Sequence, residues 1–161
     1  VAQKFKADIY VNVQGDEPLV NPKDIQNIID AKKKYFDEVI NGYTVIEKDE
    51  DPTNVNIPKV TFTEDKHLIY ISRQAIPGFK EKKNEIPEYY KQVCIYAFNQ
   101  EELLKYGSYR GKSKLEKSED IEILRFLEWG KKIRLVETTP GSLAVDEPKD
   151  ITKVEVALKR L

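Results

Sequence analysis

The sequence is poor in the side chains on which much enzyme chemistry depends. It carries one cysteine, Cys94, and one histidine, His67, in 161 residues. A single thiol excludes an intrachain disulfide and a cysteine-based zinc cluster. Cys94 lies inside an apolar run and reads as an inert buried thiol. His67 has no second metal-ligating neighbour and reads as a surface residue. Neither sign of charge is in excess, since 27 basic residues face 28 acidic ones. That balance suggests neither a nucleic-acid-binding surface nor an acidic tail. No apolar run approaches the roughly 20 residues of a membrane span, and no signal peptide opens the chain, so a cytoplasmic protein is expected, with no membrane and no nucleic acid among its partners.

What is present is ordinary in composition and specific in pattern. With 40% apolar and 34% charged residues, the chain can bury one sizeable core, and residues 1–161 are expected to form a single domain. The most informative stretch runs from Asp8 to Pro18. Apolar and β-branched residues build up to Val13, the run stops at Gly15, and Asp16, Glu17 and Pro18 follow. This reads as a buried strand whose C-terminal end presents carboxylates at a tight turn. Ligands of open α/β sheets sit outside that edge, where an Asp can hold Mg²⁺ against phosphate oxygens. Asp146 repeats the arrangement: Leu143-Ala144-Val145 ends in Asp, and Pro148 opens a helix. Two such corners meet only if their strands end on one edge of one sheet, and then their carboxylates repel unless a cation lies between them. Spacing alone equally fits a turn-capping role for Asp16 and a helix-cap neighbour at Asp146.

Between these corners the pattern alternates. Asn21-Pro22-Lys23-Asp24 starts a helix toward Tyr35, with Asn21 as N-cap and Ile25, Ile28 and Ile29 on one face. A strand interrupted at Asn41-Gly42 follows within 38–47. Lys59–Phe62 and Leu68–Ile71 read as an antiparallel hairpin, and half of its apolar residues (Val60, Phe62, Ile69, Ile71) should face away from the core toward a second copy. The charged stretch 80–88 reads as a surface segment. Gln92–Phe98 reads as a strand and Asn99 as the cap of a short helix. A basic loop from Gly107 to Lys114 leads to one helix from Ser118 to Trp129, closed by Gly130. After a strand at 133–136, a last helix carries Ile151, Val154, Leu158 and Leu161 on one stripe. Strands alternating with helices, with one hairpin excursion, give an α/β fold with a mixed sheet.

Five blocks in this order carry a family resemblance: Val13–Pro18, Ser72–Pro77, Val93–Phe98, Leu115-Glu116 with the helix through Arg125, and Ala144–Asp150. Together they resemble the 3-deoxy-manno-octulosonate (Kdo) cytidylyltransferases, also called CMP-Kdo synthetases, from about Ile9 to Val154. The resemblance implies a Rossmann-like mixed sheet of the nucleotide-diphospho-sugar transferase type. It implies Mg²⁺-assisted transfer of CMP from CTP to the anomeric hydroxyl of a 3-deoxy sugar acid, with release of pyrophosphate, in a homodimer serving lipopolysaccharide synthesis. By resemblance Asp16 and Asp146 are the metal-binding and catalytic aspartates. Gln14, Arg73, Gln92, Tyr96 and Glu116 are the substrate-binding residues, Arg73 through its bidentate fork. Nucleotidyl transfer is mostly positioning and charge neutralisation, so a chain with one Cys and one His suffices.

The match also fails in places. Such enzymes open with a loop of the type Ile-Pro-Ala-Arg…Ser-Arg-Leu-Pro-Gly-Lys that holds the triphosphate, and none occurs in these 161 residues. The chain is therefore expected to be N-terminally incomplete and inactive in isolation. Gln92 stands where the family usually has histidine, which admits an amino-substituted relative of Kdo. Gly78-Phe79-Lys80 replaces an aromatic followed by arginine, and Glu147 replaces a threonine. The alternatives are a non-catalytic sugar-acid-binding or dimerisation module and an acylneuraminate-type cytidylyltransferase.

Overall fold

The computed structural model describes residues 2–86, 88–141, 144, 145 and 148–159, with only the backbone of Lys149. Six strands and five helices follow in the order β1 (Tyr10–Val13), α1 (Pro22–Lys34), β2 (Val39–Val45), β3 (Lys59–Phe62), β4 (Leu68–Ser72), β5 (Tyr90–Phe98), α2 (Gln100–Ser108), α3 (Lys114–Glu119), α4 (Leu124–Glu128), β6 (Ile133–Glu137) and α5 (Pro148–Leu158). The main sheet path is β4-β3-β5-β2-β6, and β1 pairs with β5. Only β2–β6 is parallel, so the sheet is mixed as expected.

The longest strand, β5, organises the molecule. Along one edge it pairs with β2; along the other, β3 meets its start at Lys91 and β1 meets its end from Ile95 to Phe98. Between these two partners Gln92 N donates to Pro58 O, and Cys94 is bonded by Gln14 and Glu17. The side chains of β5 alternate between two apolar layers, as a period of two dictates. Val93, Ile95 and Ala97 pack with Ile28 of α1 and Ile40, while Tyr96 and Phe98 join Ile121, Ile123, Leu124 and Phe126 on the other face. Burying an aliphatic or aromatic side chain contributes about 1.5–3 kcal/mol, so these two layers hold the sheet upright beneath the site.

The hairpin departs from expectation. Val60 and Ile71 are buried and Phe62 is half-buried, leaving Ile69 as the exposed one of the four. The hairpin curls over so that its tip closes on β6: Leu135 N donates to Lys66 O at 2.8 Å, and His67 bridges to Arg134. Its apolar face is thereby used within the chain. His67 is not a loose surface residue, since its Nε2 lies 3.1 Å from Glu38 Oε1 and 2.9 Å from Arg134 Nη2.

Two further differences have local causes. The strand 39–45 runs through Asn41-Gly42 with a register shift rather than an interruption. A Cβ on Gly42 would lie 3.1 Å from Thr138 Cγ2 and 3.3 Å from Val93 O, so the close approach of strands requires glycine. The expected helix from Ser118 to Trp129 is two short helices. Ser113 and Glu116 form a capping box that starts α3 early, and Asp120 ends it in the left-handed conformation at φ 54°.

Candidate active site

The divergence of β1 and β3 from the edge of β5 opens a cleft of about 500 Å³. The end of β1 supplies Gln14, Asp16 and Glu17. The strand β5 supplies Gln92, Val93, Cys94 and Tyr96. The loop between β2 and β3 supplies residues from Asp49 to Pro58, and the α3–α4 break supplies Asp120, Ile121 and Glu122. Arg73, Ala144, Asp150 and Lys153 complete it. Six parts of the chain thus meet at the place the strand end indicated.

The turn after β1 is fixed by its backbone. Gln14 N donates to Cys94 O at 3.2 Å and Glu17 N to Gln14 O at 3.2 Å, while Glu17 Oε1 accepts from Cys94 N at 3.4 Å. This leaves Asp16 Oδ1 buried with no hydrogen-bond partner among the described residues. A buried carboxylate oxygen without a donor is costly, and it fits a place where a cation belongs. Asp146 lies outside the described residues. Its neighbour Val145, however, donates its N–H to Asp16 O at 2.9 Å, so the second corner approaches the first despite their distance in sequence. Among the described residues no group of three or more His, Cys, Asp or Glu side chains is placed to hold a metal.

Charge in the cleft is lopsided. Eight carboxylates line it against three cations, Arg73, Lys91 and Lys153. Of these, Lys91 is paired with Glu50. The Arg73 guanidinium donates to Glu119 O at 2.6 Å, Val55 O at 2.9 Å and Asp120 O at 3.2 Å. It therefore closes the C-terminal end of α3, where carbonyls lack helical partners, and carries its charge without a carboxylate pair among the described residues. Gln92 is buried and donates from Nε2 to Asn41 Oδ1 at 2.9 Å, which fixes the orientation of its amide. Tyr96 is also buried, and burial pushes its hydroxyl well above the ordinary range. Burial, followed by the negative charge of Glu17, raises the Cys94 thiol to about 12, so it stays protonated.

Of the residues expected from sequence, the structure brings Gln14, Asp16, Arg73, Gln92 and Tyr96 to one cleft. Glu116 is not among them. It is 2% exposed and receives Arg125 Nε and Nη2 at 2.7 Å each, Ser113 N at 3.0 Å and Tyr106 Oη at 3.3 Å. Those donors use both of its oxygens, and it serves as the partner of a buried arginine and the cap of α3. The carboxylates of the same block that line the cleft are Asp120 and Glu122. Sequence reasoning also missed Glu17, although it stood beside Asp16 in the motif, and the loop from Asp49 to Pro58.

The sequence matches the cytidylyltransferase family over residues 1–133. The chain is 35% identical over 155 residues to the 3-deoxy-manno-octulosonate cytidylyltransferase of Flavobacterium johnsoniae, covering 94% of this chain and 63% of that protein. The structure of a CMP:2-keto-3-deoxy-manno-octonic acid synthetase complexed with CTP superposes with a TM-score of 0.86 at 29% identity, covering 98% of this chain and 64% of the other. An inositol-1-phosphate CTP transferase from T. maritima, with a TM-score of 0.63 at 15% identity over 98% of this chain and 57% of that one, shares the fold. The chain spans less than two thirds of the length of the first two relatives.

Proposed function

The chain belongs to the cytidylyltransferase family, on its 3-deoxy-manno-octulosonate branch, and we propose that its cleft is the sugar-facing and metal-facing side of a site that transfers CMP from CTP to Kdo or a near relative. The observation that carries this reading is the buried, unpartnered Asp16 Oδ1 in a cleft with eight carboxylates. An anionic sugar and an anionic triphosphate approach such a cleft only with the charge neutralised. Asp16 and Asp146 would hold Mg²⁺, which supplies that neutralisation and lowers the pKa of a hydroxyl bound to it.

The chain's own residues orient the sugar acid. Gln14, Gln92 and Tyr96 offer polar groups along the cleft, Arg73 offers positive charge for the sugar carboxylate, and Glu122 offers an acceptor for a hydroxyl. The attacking group is the sugar's anomeric hydroxyl, in line with the departing pyrophosphate. No side-chain nucleophile takes part, which agrees with a Cys94 thiol that stays protonated. The neutral amide at Gln92 favours a sugar whose recognised group differs from that read by histidine, an amino-substituted Kdo being one such sugar. A homodimer in the cytoplasm, serving lipopolysaccharide synthesis, belongs to the same reading.

Three lining cations against eight carboxylates, with Lys91 and Arg73 already bonded within the protein, are few for a triphosphate. We therefore expect these 161 residues to bind the sugar acid with Mg²⁺ and to turn over no CTP alone. The test joins them to the N-terminal part of the Flavobacterium johnsoniae relative. CMP-Kdo, or its amino analogue, formed from CTP by the joined protein and lost with Asp16→Asn supports the proposal. Sugar-acid binding without synthesis by a folded joined protein would favour a binding module instead.

A further inference from the structure

The wall of the cleft formed by the loop between β2 and β3 is held by two buried lysines facing each other on adjacent strands: Lys59 on β3 and Lys91 on β5 are register partners. Lys91 has a carboxylate, Glu50. Lys59 has none within ion-pair distance among the described residues. Its ammonium is fully buried and donates to two backbone carbonyls, Asn54 O at 2.8 Å and Arg73 O at 2.5 Å. Asn54 lies in the loop, and Arg73 both lines the cleft and donates to Val55 O and to the end of α3. One ammonium therefore fastens the loop to Arg73, and Arg73 fastens both to the α3–α4 break that carries Glu122. A buried charge held by neutral acceptors is more costly than an apolar side chain of the same size, so packing alone does not account for a lysine here.

We propose that Lys59 is a positioning residue for the cleft, locking the Asn54–Val55 loop and Arg73 into the one arrangement that receives the sugar acid. The substrate part of this inference rests on the function proposed above. The charges acting on Lys59 are Arg73, Asp51 and Glu119, with Lys91 opposite it in register and Glu50 on Lys91. Burial first and the Arg73 charge second lower its pKa to about 8, against the opposing pull of Asp51 and Glu119. Opening the loop to water would return Lys59 to its ordinary value of 10.5. The open state thus holds the proton more tightly, and closure is favoured as pH rises from about 8 toward 10.5.

Lys59→Met and Lys59→Arg in the 161-residue chain test this by amide exchange, carbon-13 NMR of the lysine side chains and calorimetry with Kdo and Mg²⁺. In Lys59→Met, amides 53–57 should exchange roughly 10- to 100-fold faster, as expected for loss of the two hydrogen bonds that Lys59 donates, while those of β2 and β5 stay unchanged. Lys59→Arg should restore part of the protection. The Lys59 signal of the unaltered chain should titrate near 8, and Kdo affinity should fall in Lys59→Met by a factor similar to the exchange effect. Unchanged exchange at 53–57, acceleration throughout the chain, a titration at the ordinary lysine value, or equal Kdo affinity despite a loosened loop would each overturn the proposal. If the unaltered chain binds no Kdo, the proposed function fails, and the exchange and titration results still decide whether Lys59 fixes this wall.

Discussion

Replacing Glu116 by Gln removes one negative charge and keeps the shape of the side chain. The structure makes the consequence steep. Arg125 is 5% exposed and places its fork on both Glu116 oxygens at 2.7 Å, with Tyr106 O as a further acceptor at 3.2 Å. The substitution leaves a buried guanidinium without its counter-charge and presents an amide N–H₂ where a donor is already aimed. Breaking one side of a buried pair costs about 3–5 kcal/mol. At this chain length that corresponds to a fall in Tm of roughly 6–20 °C. Burial pushes the Glu116 carboxyl up, but the Arg125 fork and the Ser113 N–H more than offset it, so its pKa lies below the ordinary value. A depressed native pKa gives stability that is fully present above the ordinary carboxylate pKa and lost as pH falls through the native one. Urea unfolding from pH 7 downward should therefore show the Gln variant less stable at neutral pH, with the difference shrinking in acid. If the variant keeps full stability but binds sugar acid poorly, Glu116 is a binding residue and the structural argument is wrong.

Three other outcomes follow from the same contacts. Cys94, with a thiol pKa of about 12, should react with iodoacetamide at pH 8 at least about a thousandfold more slowly than a free thiol, since the thiolate is the reactive form; labelling at the ordinary rate, read by mass spectrometry, would contradict its burial. If copies of this chain pair through the hairpin, Ile69, which is 56% exposed, is the residue left to do it. Ile69→Glu should then shift sedimentation at micromolar concentration toward monomer, and an unaltered protein that is already monomeric would remove the dimer from the account. Gly42→Ala should destabilise by about 1–3 kcal/mol in urea unfolding, because its Cβ would press on Thr138 and on the Val93 backbone; an unchanged midpoint would show that the strands can part at no cost.

Much of this molecule was legible in the chain because its signals are local. The run ending at Val13, the Asn21-Pro22 cap and the Asn99 capping box each name their element with short-range chemistry, and all three stand in the structure. Asp16 was readable from the strand end that precedes it, while Gln14, Gln92 and Tyr96 were named only through the family resemblance, and all four line one cleft. Glu116 and Glu122 were not separable in this way. Their block reads as a continuous helix, and only the left-handed turn at Asp120 swings one inward and the other to the cleft. The capping pattern Ser113-x-x-Glu116 was the available sign that Glu116 has local work to do. The hairpin's curl onto β6 depends on Leu135 meeting Lys66 and on the Glu38, His67 and Arg134 cluster, which joins distant segments by contacts no sequence period encodes. The bonds of Lys59 to carbonyls are invisible for the same reason: backbone acceptors leave no mark on side-chain pattern.

The proposed site requires that Asp16 hold a divalent cation in this cleft. Titrating Mn²⁺, a paramagnetic substitute for Mg²⁺, into the 161-residue chain and recording amide signals tests it directly. Broadening should centre on residues 14–17, 94–96 and 144–145, be relieved by excess Mg²⁺, and weaken by roughly tenfold or more in affinity in Asp16→Asn, as when a metal loses a charged ligand. Broadening centred elsewhere, or unchanged in Asp16→Asn, would contradict it.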